Sequence, residues 1–157
     1  IAARFASRAA RQTARLQRED ELRSVLDAAG IRITEALIAF EDAEAEAARG
    51  SVPYRTLEAL QTQLEQVEMN QVRLAVRIGH TAPETQAYRS AKDRLRSTLS
   101  ELKVGDAEVP HEDSKTHRAW AQDYANGFFD CASMRIGPDA VENPSEQSAG
   151  LLSRLLG

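Results

Sequence analysis

One cysteine, one tryptophan, two methionines and three lysines are all that this 157-residue chain holds of those residue types. Cys131 stands alone, so no internal disulfide can form, which fits a reducing compartment. Aromatic residues number only eight, too few to wall a deep ligand cavity. No apolar run approaches the ~20 residues that cross a bilayer, and no signal peptide is visible. Hydrolase elbows, phosphate-cradling glycine loops and dinucleotide fingerprints are all missing. Nothing calls for a cofactor, and the chain reads as non-enzymatic.

Prolines and glycines are also sparse, and where they fall they divide the chain. Residues 2–49 contain no proline, and Leu22, Val25, Leu26, Ala29, Ile33, Leu37 and Phe40 keep a three-and-four spacing. That is the period of a helix with one apolar face. Gly30 is its weak point, marking either a bend or the close approach of a neighbour. "RGSVPY" is the first break, with Ser51 in position to cap the next helix. Helix two, about 53–79, carries Leu57, Leu60, Leu64, Val67, Gln71, Leu74 and Ile78, with Gln71 the one polar residue, at the seam's edge.

"GHTAPET" is the second break, where Thr81 and Glu84 have the spacing of a capping box. A third helix, about 82–103, packs through Ala87, Tyr88, Ala91, Leu95, Leu99 and Leu102, and Gly105 can close it. A fourth, about 112–135, holds Trp120, Tyr124, Phe128 and Phe129, half of all the aromatics and an expected plug for one bundle end. Asn126-Gly127 can kink or shorten it. No strand pattern of comparable quality occurs. Short breaks between long helices favour antiparallel neighbours. The fold expected is all-α: an elongated antiparallel bundle of three to four helices with a projecting N-terminal helix. Residues 1–18 form the arm, 19–135 the bundle, and 136–157 a linker with a short apolar tail, "LLSRLL".

The charge is unevenly divided. Residues 1–18 hold five arginines and no acid, so the arm carries +5 and the remaining 139 residues −9, together the net charge of −4. Arg4, Arg8, Arg11, Arg15 and Arg18 step by four, three, four and three. On a helix they share an arc of roughly 80°, centred on the angle of Leu22, Ala29, Ile33 and Phe40. The face that packs the bundle after residue 22 is thus an arginine face before it. Five unpaired guanidinium groups cannot enter an apolar seam. The bundle should therefore end near Leu22, and loss of residues 1–18 should leave its thermal unfolding nearly intact.

Other chemistry is thin. Asp113 and His117, four apart in "HEDSKTH", are the weak candidates for metal ligands; the spacing is not that of H-E-x-x-H, and no Cys and no His beyond His111 and His117 lies close by. A solvated helix start explains them equally well. Cys131 has no base placed beside it. The acids Glu41, Asp42, Glu44 and Glu46 read as a solvated face, and "YRTLE" (Tyr54 to Glu58) as a helix opening.

Three partners suit the arginine arm. The first is an anionic membrane surface: arginines just inside a bacterial membrane follow the positive-inside bias. The chain starts at Ile1 rather than Met, and the expectation is an upstream membrane helix with the bundle at the cytoplasmic face. The second is another copy of the chain, in a dimer or higher homo-oligomer, with acidic seams such as Glu65 and Glu68 or Glu41 to Glu46 receiving the arm. The third is nucleic acid. A basic helix running into an apolar heptad resembles the basic-zipper proteins over the first quarter of the chain. The likeness implies phosphate contacts along the arm. The arm has no Asn to read bases, and Gly30 interrupts the apolar pattern that follows.

Overall fold

The described residues fold as four α-helices, with proline or glycine at the breaks between the first three. The computed structural model describes residues 2–105 and 116–136. They form α1 (Ala2–Arg49), α2 (Tyr54–Ile78), α3 (Pro83–Val104) and α4 (His117–Ile136). Asp113, His111 and the "LLSRLL" tail lie outside the described residues. Each helix runs antiparallel to the one before it. The order is fixed by cross-links: Arg77 to Glu21, Arg96 to Glu68, Arg135 to Glu84, and Arg118 back to Glu44. The result is an up-down-up-down four-helix bundle.

Two helix starts differ from the caps read in the sequence. Residues before a proline are pushed out of the helical region. Val52 therefore cannot begin α2, the N-cap falls on Pro53, and Ser51 lies too far upstream to serve. Ala82 likewise is held extended by Pro83 (ψ 139°) and becomes the N-cap of α3. Thr81 is left outside the helix, so no capping box forms, and Glu84 is free for another role. The other end of α3 is as expected, with Gly105 left-handed at φ 77° and its N–H on the Glu101 carbonyl.

The core is built on a strict three-four seam of α1: Leu26, Ala29, Ile33, Ala36, Phe40 and Ala43, all buried. Alternating large and small residues lets the other helices approach. Ala91 on α3 and Ala121, Ala125 and Ala132 on α4 do the same across their contact. Gly30 marks a close approach rather than a bend. Its Cα faces the Phe129 ring so tightly that an added Cβ would stand 2.9 Å from Cε1, and α1 passes through it unbroken. Asn126-Gly127 does not interrupt α4 either.

On α2 the buried amide is Asn70, with Gln71 half-buried beside it. Asn70 Nδ2 donates to the Gln66 carbonyl at 2.8 Å, so the helix satisfies its own polar residue. Phe128 and Phe129 are buried and meet edge to face at 5.3 Å between centroids, and Phe128 meets Tyr88 in the same way at 5.1 Å. Trp120 and Tyr124 stack on each other further out. The aromatics thus make an inner cluster and an outer pair rather than one plug.

Tyr88 spans the bundle diagonal, its hydroxyl donating to the Ala29 carbonyl at 3.0 Å. Burial pushes that hydroxyl far above its usual titration range, against a small opposing pull from Arg32, so it stays a donor. Tyr88→Phe should cost about 1 kcal/mol of unfolding free energy, measured by urea titration, with no change in helix content.

Candidate functional site

The bundle's packing begins at Leu22, and α1 does not stop there. Residues 2–21 continue as helix for about 30 Å, exposed throughout except for half-buried Ala14, with the part from Arg11 to Glu21 running beside the ends of α2 and α4. At 100° per residue the arginine stripe keeps the positions of the core seam. Arg8 and Arg15 repeat those of Leu22 and Ala29. Arg4, Arg11 and Arg18 follow along one edge. The stripe therefore looks toward the side on which the bundle lies.

That orientation makes an inside corner. Arg11, Arg15 and Arg18 form one wall of an open hollow of about 620 Å³, with Arg77 from the end of α2 and Arg135 from the end of α4 opposite. Leu22 and Ile78 give it an apolar floor. Arg4 and Arg8 lie beyond it, on the free part of the arm. Arg77 and Arg135 were not legible as site residues. Each is only a basic residue in the last turn of its helix, and topology alone brings them to the arm.

The arginines differ in how far they are committed. Arg135 makes a two-pronged pair with Glu84, Nε to Oε1 at 2.6 Å and Nη2 to Oε2 at 3.0 Å. Burial works to raise the Glu84 pKa. The Arg135 hydrogen bonds, Glu84's own backbone N–H and the Arg135 charge outweigh it, and the carboxyl is held below its usual value. Arg77 Nη2 donates to Glu21 Oε2 at 2.8 Å and to the Arg18 carbonyl at 3.2 Å, which fastens the arm's root to α2. Arg15 donates through Nε to Glu19 at 2.9 Å, a pair on the arm's own surface. Arg4, Arg8, Arg11 and Arg18 make no side-chain ion pair among the described residues. Five guanidinium groups face three carboxylates (Glu19, Glu21 and Glu84), so the corner keeps an excess positive charge.

The chain matches no family model, and no curated protein or solved structure matches it.

The remaining candidates are engaged in structure. His117 accepts from Arg94 Nη1 at Nδ1 (3.0 Å) and so directs Nε2–H at Glu101, 3.1 Å away. Trp120 lies over the same Arg94. Among the described residues no three His, Cys, Asp or Glu side chains gather as metal ligands would. The Cys131 thiol is pushed up, first by burial and then by the Glu84 and Asp130 charges, with Arg135 opposing, so it stays protonated near neutrality. Glu44 is taken by Arg118 at 2.7 Å, and Glu68 by Arg96. Of the acidic seams, Glu41, Asp42 and Glu65 face outward. No helix among the described residues is long and apolar enough to cross a membrane.

Proposed function

We propose that the chain is a non-enzymatic helical interaction domain whose basic arm engages an anionic membrane surface at its cytoplasmic face. The observation that carries this reading is the arm itself: an exposed helix, fastened to the bundle only at its root, with Arg4, Arg8, Arg11 and Arg18 in no side-chain ion pair among the described residues. Phe5 and Leu16 stand roughly 110° round from the stripe and are 66% and 54% exposed. Cationic and apolar faces on one solvated helix suit the interface between headgroups and acyl chains. Each arginine near an anionic leaflet contributes about 1 kcal/mol. Because the stripe sits inside a corner, a flat bilayer meets the distal Arg4, Phe5 and Arg8 first.

Vesicle pelleting tests it. Phosphatidylcholine vesicles containing phosphatidylserine should bind the chain at low salt and release it at high salt, and vesicles of phosphatidylcholine alone should not bind. Deletion of residues 1–18 should weaken binding by about 100-fold or more, while thermal unfolding stays nearly unchanged. Equal binding with and without the arm would refute the reading. A large drop in melting temperature would instead show that the arm belongs to the fold.

A second reading rests on Met69, Val72 and Val76, which leave an exposed apolar stripe on the outer face of α2. Self-association through it, with the arm of one copy against Glu41, Asp42 or Glu65 of another, would appear as a higher mass in light scattering. That mass should fall when the arm is deleted. Phosphate contacts to a nucleic acid would appear as salt-dependent gel shifts without sequence preference.

A further inference from the structure

The hollow at the arm's root differs from the rest of the stripe, because there the arginines face other arginines across a gap. We propose that it is a binding site for a compact polyphosphate, a ligand with two or more linked phosphoryl groups, borne either by a lipid headgroup or by a free molecule. The site requires only the corner between arm and bundle, so it stands independently of the arm's contact with phosphatidylserine.

Three features support it. Arg11, Arg15 and Arg18 run along about 10 Å of one helix face, a length that suits a row of phosphoryl groups better than a single one. Their guanidinium groups are planar forks matched to phosphate oxygens. Arg11 and Arg18 have no side-chain partner among the described residues, and Arg15 uses only Nε, on Glu19.

Across the gap, Arg77 and Arg135 are held in place by Glu21 and Glu84, so part of the site is positioned before any ligand arrives. The carboxylates neutralise some of the charge, but five guanidinium groups against three carboxylates leave the hollow net positive, and that excess attracts a multiply charged ligand more than a singly charged one. Leu22 and Ile78 beneath exclude water from one side and strengthen the attraction of ligand to guanidinium. A volume of about 620 Å³ accommodates such an anion and not a macromolecule.

Titration calorimetry with tripolyphosphate on the full chain is the test. Tripolyphosphate should bind at least about tenfold more tightly than inorganic phosphate. The double variant Arg11→Gln/Arg18→Gln should weaken it about tenfold or more. The double variant Arg4→Gln/Arg8→Gln removes the same charge outside the hollow and should change it less than about threefold. All four positions are exposed, so both variants should keep the wild-type circular dichroism and melting temperature.

Equal losses in the two variants would mean a diffuse cationic field and overturn the site. Binding of oligoglutamate as tight as that of tripolyphosphate would overturn its phosphate character. Vesicles bearing a bisphosphorylated inositol lipid separate the two sources. Displacement of the protein from them by tripolyphosphate would place the headgroup in the same hollow. Binding of tripolyphosphate with no preference for those vesicles would assign the site to a free anion. Phosphatidylserine binding that survives while tripolyphosphate fails to bind would sink this proposal and leave the membrane reading standing.

Discussion

Phe128→Ala should destabilise the bundle by about 3–5 kcal/mol, a large part of what holds a domain of this size together. Phe128 is fully buried and packs edge to face on both Tyr88 and Phe129. Truncating it opens a cavity where three helices meet. The gap cannot close easily, because Tyr88 is tied to Ala29 and Phe129 is wedged against Gly30. Trp120, 38% exposed on the same helix, is the comparison. Trp120→Ala should cost less, about 2 kcal/mol, since the space it leaves opens to water and no closed cavity forms. Urea unfolding of the two variants reads the difference, and similar losses would show that the outer pair, not the inner cluster, organises α4.

The second large effect lies at the Glu84–Arg135 pair, and it should be lopsided. Glu84 is the buried partner, its side chain 4% exposed, whereas Arg135 reaches solvent. Removing the arginine leaves a buried carboxylate without a counter-charge. Arg135→Ala should therefore cost about 3 kcal/mol at neutral pH, while Glu84→Gln, which releases an arginine able to turn to water, should cost about 1–2 kcal/mol.

The pH dependence follows from the same geometry. In the wild type the Glu84 pKa is depressed. Its contribution is present above the unfolded carboxyl value and fades as pH falls through the lower, folded one. In Arg135→Ala, burial, the largest of these influences, is opposed only by Glu84's own backbone N–H, so the pKa rises and protonation relieves the variant. The stability gap between the two proteins should thus be widest at neutral pH and shrink as pH falls through the carboxyl range. A gap constant from pH 7 to pH 4 would show that Arg135 acts by packing and not by charge.

Much of this architecture can be read in the sequence because helices advertise themselves locally. The three-four spacing from Leu22 to Phe40, and the prolines at 53 and 83, depend on neighbours a few residues away. What is illegible depends on residues brought together by the fold. Gly30 admits two readings until Phe129 arrives against it from another helix. Glu84 looks like a capping residue because its spacing from Thr81 is right, and only the constraint of Pro83 and the presence of Arg135 direct it elsewhere. Gln71 and Asn70 are adjacent amides, and the angle at which α2 meets its neighbours decides which is buried. The candidate site divides the same way. Its five-arginine stripe is a pattern in one helix, whereas the facing Arg77 and Arg135 have no local signature.

That α1 passes from Ala2 to Arg49 without a break makes it a lever as well as a scaffold. A helix of that length is about 70 Å long, and a tilt of about 10° at one end carries the other through about 12 Å. Between arm and bundle there is no hinge to absorb such a movement, and the Arg77 contacts brace the junction. Whatever grips the arginines therefore also aims the bundle. The α1–α2 turn at the far end, where Tyr54 and Glu58 stand exposed, is the point that swings furthest.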